Sequence, residues 1–195
     1  MLFPIAYFPS ILYLKTWCQY SGNAVIDLHE HWIKQSIRNR CEILGSSGVQ
    51  SLVIPIRHEK GKQGIEHIRV DDSKKWRKSH WKSIITAYGN SSYFEHYALE
   101  IEGCIFLESE LLYEINLRIL EIFTSLWGLP ESWNVSKHFS PYTENDLRLY
   151  NWLDKNYDHE SYSQVFQERK NFLNNASSLD LLCCEGPLGR RVILN

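Results

Sequence analysis

The sequence lacks a surplus of either charge. Its 195 residues carry 21 Lys and Arg against 23 Asp and Glu, a net charge of −2 with histidine neutral. A surface dedicated to nucleic acid or acidic lipid needs a clear excess of cations to neutralise phosphates. Long apolar runs are missing too, none approaching the roughly 20 residues that span a bilayer. The apolar start from Met1 to Leu14 has no basic residue ahead of it, is broken by Pro4 and Pro9, and has no A-x-A exit. It reads as a buried strand and turn, not as a leader peptide. Cys18, Cys41, Cys104, Cys183 and Cys184 are an odd count without C-x-x-C spacing, which yields neither a disulfide framework nor a zinc knuckle and fits buried thiols in a reducing compartment. G-x-S-x-G, Walker and G-x-G-x-x-G patterns are absent, so the common motif-borne enzymes are disfavoured. These absences predict a cytoplasmic protein with no nucleic-acid partner and no membrane span.

What the chain has in quantity is aromatic residues, 13% of the total, with seven Trp, eleven Tyr and eight Phe. Its length suits a single domain over 1–195, long enough to bury about 70% of its unfolded surface without staples. Leu2 to Tyr7 reads as a buried strand, Ser10 as the cap of a helix, and Ala24 to Asp27 as a second strand, the opening of a parallel βαβ unit. Arg40 to Gly45, the turn Gly45-Ser46-Ser47-Gly48, and Ser51 to Ile56 predict a hairpin. Arg57 to Gly64 reads as a mobile charged loop, and Ile65 to Val70 as a further strand. Helices are predicted after Asp72, through Trp81, Ile84, Ile85 and Tyr88, from Tyr93 to about Glu100, and from Glu108 to Trp127. Glu131 to Ser161 carries few regular signals. Ser177 caps a last short helix that Gly186-Pro187 closes. The fold class expected is α/β, with a mixed, partly parallel sheet flanked by helices.

Three clusters carry chemistry. In His29-Glu30-His31 with Lys34, Ser36, Arg38, Asn39 and Arg40, an extended segment puts Lys34, Arg38 and Arg40 on one face within about 20 Å. Guanidinium forks there match pyrophosphate or carboxylate. A solvated edge strand, or a helix through Ile33, Ile37 and Cys41, fits the same residues. His29 and His31 have no third ligand at metal spacing, so no metal site is expected. The second cluster, Lys74, Lys75, Trp76, Arg77, Lys78, His80 and Lys82, places cations in early helical turns where the dipole favours an anion, or simply faces solvent. The third gathers Tyr88, Tyr93, Glu95 and Tyr97, with Tyr162 and Gln164 of similar character later on, as phenolic walls of a sugar or nucleotide pocket or as packing.

In order along the chain, Phe8-Pro9-Ser10-Ile11-x-Tyr13, His29-Glu30-His31, Lys34-Gln35-Ser36, Arg38-Asn39-Arg40-Cys41-x-Ile43-x-Gly45 and Val53-Ile54-Pro55-Ile56 resemble the WbqC-like protein family. So do Trp76-Arg77-x-x-His80-Trp81, Ala87-Tyr88, Tyr93-Phe94-Glu95-x-Tyr97, Tyr162-x-Gln164-Val165-Phe166, Ser178-Leu179-Asp180-Leu181-Leu182 and Glu185-Gly186. The resemblance implies a place among bacterial O-antigen and surface-polysaccharide genes, whose members are described as glycine or amino-acid transferases to sugars. Longer members have a His-Gln-Pro element after the first strand. Here Tyr7-Phe8-Pro9-Ser10 stands in its place, without the histidine, and no cofactor is carried over. The expectation is acyl or aminoacyl transfer to a nucleotide-linked amino sugar, in a cleft at the carboxyl ends of the first strands. Arg38, Arg40 and Arg77 then bind phosphate or carboxylate, with Ser10, Lys34, Asn39 and Trp76 beside them. His29 or His80, with Glu95, serves acid–base chemistry, and Tyr88, Tyr93, Tyr97, Tyr162 and Gln164 line the sugar pocket. The alternative is a non-catalytic nucleotide-sugar-binding or scaffold protein of glycan assembly.

Overall fold

Ser10 ends the first strand-and-turn because its side chain accepts the Tyr13 amide, starting helix α1 (Ile11–Gln19). That helix buries Ile11, Leu12, Tyr13, Leu14 and Trp17, each worth roughly 1.5–3 kcal/mol of apolar burial. The computed structural model describes residues 1–20, 22–57, 61–144 and 146–195. Strand β1 (Leu2–Phe3) pairs in parallel with β2 (Val25–Ile26), Leu2 opposite Val25, as a βαβ opening requires. Beside β2 lies β5 (Asn134–Val135), also parallel, from the stretch that carried few regular signals. Two-residue strands have no room for a readable alternation, which is why β5 is invisible in sequence. A separate antiparallel hairpin joins β3 (Arg40–Gly45) and β4 (Gly48–Val53), with Arg40 opposite Val53. Gly48 takes a φ of 113° at the turn, where a side chain would be strained. The architecture is mixed α/β, with the parallel and antiparallel parts in different sheets.

Ile65 to Val70 is not a strand. Ile65–His67 is a 3₁₀ turn, Ile65 and Ile68, three apart, are both buried, and only single bridges form at Arg69 and the buried Val70. Within the charged loop before it, residues 58–60 lie outside the described residues. Helix α2 (Trp76–Tyr88) starts four residues later than Asp72, after a left-handed Lys75 with φ 51°. Its buried stripe is Trp76, His80, Ile84, Ala87 and Tyr88, and Ile85 faces solvent. Helices α3 (Phe94–Ile105) and α4 (Leu112–Leu126) follow. The short α5 (Gln167–Lys170) precedes α6 (Ser178–Glu185), and a 3₁₀ turn at Gly186–Leu188 leads into α7 (Gly189–Leu194). The chain thus stays helical past the Gly186-Pro187 signal. One core cluster runs from Phe3 to Ile193. Among the described residues no helix is long and apolar enough to cross a membrane.

Candidate functional site

Residues 28–34 leave the carboxyl end of β2 and turn alongside residues 63–66. The Glu66 amide donates to Leu28 O (3.0 Å), the Ile65 amide to Glu30 O (3.0 Å), and the Trp32 amide to Gln63 O (2.9 Å). Past this contact opens a cleft of about 420 Å³, lined by His31, Trp32, Ile33, Lys34, Ile56, Arg57, Gly61, Lys62, Gln63, Ile68, Tyr142 and Leu149. That is a size and lining suited to a small organic ligand. Tyr142 arrives from the carboxyl side of β5, so two neighbouring parallel strands deliver walls to one crevice, the usual ligand position of such sheets. Lys34, Arg57 and Lys62 bring positive charge. Arg57 lies at the limit of hydrogen-bond range, 3.5 Å from Glu110. His31 stacks on Phe139 with ring centroids 5.0 Å apart.

Behind the cleft lies a knot of buried ions. Glu30 is gripped by Arg38, whose Nε donates to Oε1 at 2.8 Å and whose Nη2 donates to Oε2. Arg38 Nη2 also donates to Arg148 O at 2.8 Å. Arg148 in turn pairs with Asp27 and Asp146. Three carboxylates thus share two guanidiniums out of water, and burial, reinforced by Asp27, pushes Glu30 up to about 7 against the pull of both arginines. The hydrogen bonds from Arg148 hold Asp146 below the usual carboxylate range.

A second buried knot gathers residues far apart in sequence. Tyr88 donates to Asp180 Oδ1 (2.9 Å), and Tyr162 and the Gln164 amide donate to Oδ2 (2.6 and 2.9 Å). Gln164 also exchanges bonds with the Leu173 backbone. Burial raises Asp180, Tyr88 and Tyr162 alike, so both hydroxyls keep their protons and act as donors.

The sequence-predicted residues are distributed as follows. Lys34 stands in the cleft. Arg38, Arg40 and Arg77 do not meet around one hollow. Neither the extended row nor the helix proposed for residues 34–40 forms, because residues 34–39 make a series of turns and bends and Gln35 takes a φ of 55°. Arg38 is folded inward onto Glu30. Arg40 opens β3 and lines a water-sized gap of about 10 Å³ with Tyr7, Ser10 and Ser177. Arg77 is held by Asp72 and by the carbonyls of Ile105 and Ser109. Asn39 donates to Ile54 O (2.7 Å), closing the hairpin, and Ser10 donates to Trp152 O (2.8 Å). Trp76 is buried and bonded to Asp72.

His80 is buried, its Nδ1 2.9 Å from the Tyr7 hydroxyl, and burial lowers it to about 4. His29 is partly exposed with Nδ1 3.1 Å from Glu66 Oε2 and is not among the residues that line the cleft. Glu95 is exposed in the first turn of α3. On the same helix, Tyr97 is half-buried and burial raises its hydroxyl. Tyr93 packs its ring on Gly186, where a Cβ would come within 2.4 Å of it. Trp32, Arg57, Lys62, Tyr142, Asp146 and Arg148 were not singled out by sequence. Lys62 carried a signal only as part of a charged loop, and Arg148 carried none.

Among the described residues, no group of three or more His, Cys, Asp or Glu is placed to hold a metal ion. No curated protein and no solved structure matches this chain. The sequence pattern of the WbqC-like protein family matches residues 5–162 of the 195, covering strands β2 to β5, the cleft and both members of the guanidinium pair behind it, and on that match the chain belongs to the WbqC-like protein family.

Proposed function

We propose that this protein binds a nucleotide-linked sugar, or an anionic small molecule like it, in the cleft beside Lys34 and Tyr142. There it transfers an acyl or aminoacyl group, such as glycyl, to the amino sugar in the assembly of bacterial O-antigen. The observation that carries the reading is the lining of one crevice by Lys34, Arg57 and Lys62 together with Trp32, His31 and Tyr142. Cations answer a diphosphate, and flat rings answer a base or a sugar face. Family membership supports the polysaccharide context. Of the three acid–base groups predicted, His29 is the best placed, because it is partly exposed and lies two residues before the cleft residue His31. The sugar amine attacks the acyl carbonyl, a C–N bond forms, His29 takes the amine proton, and the donor's leaving group departs with its electron pair.

Product formation from activated acyl donors and a nucleoside diphosphate amino sugar tests this. His29→Gln is expected to end turnover while ligand binding, read by tryptophan fluorescence, stays within twofold. Saturable binding by the unaltered protein with no product from any donor supports the second reading, a non-catalytic nucleotide-sugar-binding or scaffold protein. That reading draws on the placement of His29, His80 and Glu95, none of which is among the cleft's lining residues.

A further inference from the structure

Arg148 uses all five N–H donors of its guanidinium inside the protein. Nη1 donates to Asp27 Oδ2 (2.5 Å) and Ser140 O (2.8 Å), Nη2 to Pro141 O (3.2 Å) and Asp146, and Nε to Asp146 (2.9 Å). It is 1% exposed and so has nothing left for a ligand. What it does hold is backbone. Two carbonyls and a capping carboxylate wrap this one cation, while Asp27 ties it to the end of β2. The Arg148 carbonyl receives Arg38 from behind. The same guanidinium lies 4.4 Å from the centroid of the Tyr142 ring, and Tyr142 and Leu149 are cleft walls.

We propose that Arg148 is the positioning residue of the cleft, fixing residues 139–144 and 146–149 so that the Tyr142 ring is presented to the cyclic part of the ligand. This rests on the cleft being the ligand site. Lysine at 148 keeps the charge but offers donors from a single point, and a single point cannot reach Ser140 O, Pro141 O, Asp27 and Asp146 together.

The test titrates uridine diphosphate and inorganic diphosphate into the unaltered protein, Arg148→Lys, Tyr142→Ala and the double variant. Expected are a tenfold or greater loss of uridine diphosphate affinity in Arg148→Lys, inorganic diphosphate affinity within twofold, and a double variant no weaker than Tyr142→Ala alone. Undiminished uridine diphosphate binding by a folded Arg148→Lys overturns the inference, as does a double-variant loss equal to the product of the single ones. If Arg148→Lys does not fold, hydrogen exchange on the unaltered protein decides. Uridine diphosphate must slow the amides of 139–144 and 146–149, and binding without that protection overturns the assignment. An unaltered protein that binds neither probe overturns the cleft reading itself, and the inference with it.

Discussion

Two knots of buried polar side chains hold this molecule, and they are built on different chemistry. Around Arg38 and Arg148 the donors are permanent cations, the acceptors Asp27, Glu30 and Asp146 are carboxylates, and several bonds end on backbone carbonyls of segments that run on into the cleft. Around Asp180 the donors are two phenols and an amide, every one directed inward. The first knot shapes a surface, whereas the second only joins α2, α6 and the irregular run from Tyr162 to Gln164. Buried chemistry-bearing residues are therefore a poor guide to a site unless the bonds they make lead to a cavity wall.

The largest expected effect comes from breaking the charged knot. Arg148→Met leaves Asp27 and Asp146 buried without their partner and is expected to cost about 4 kcal/mol, read as a lowered urea midpoint at unchanged slope. Next is pH. Glu30 holds its proton more tightly in the native protein than in the unfolded chain, so its contribution is complete below about pH 4.3 and is lost as pH rises through about 7. His80 runs the opposite way. Neutral when buried, it contributes above its unfolded value of about 6.5, and that contribution is lost as pH falls through about 4. The two slopes oppose each other over roughly pH 4.5–6.5, each on the order of 3 kcal/mol in full. Urea titrations at several pH values should therefore show Glu30→Gln gaining stability as pH rises over that range and His80→Gln losing it. Equal pH profiles for the two variants would contradict the assignment. In the uncharged knot, Asp180→Asn keeps the shape but turns one acceptor into a donor facing a phenol, and should cost about 2 kcal/mol. Ligand affinity should stay unchanged, and a loss of affinity would erase the distinction between the knots.

The βαβ opening, the hairpin and α4 were legible because each rests on local signals: the Ser10 cap, the Gly45 to Gly48 turn, and a stripe stepping by three and four from Leu112. Strand β5 was not, since two residues carry no period and its pairing partner lies more than a hundred residues away. The family was legible from ordered motifs. The cleft was half legible. Lys34 belonged to a cluster read as anion-binding, but its neighbours Arg38 and Arg40 were grouped with it on an assumed strand. No one-dimensional spacing shows that a cation will turn inward to a carboxylate eight residues before it. Arg148 was hidden for the same reason, its partner Asp27 being 121 residues distant.

The smallest effect on stability, and the most direct test of the account, lies in the cleft. Lys34→Ala with Lys62→Ala removes two surface-facing cations and should change stability by no more than about 0.5 kcal/mol. Calorimetric titration of uridine diphosphate into this double variant and the unaltered protein, at two salt concentrations, measures what those cations do. The account predicts saturable binding that weakens with salt and falls at least tenfold in the variant. An unaltered protein that does not bind, or a variant that binds equally well, would contradict it.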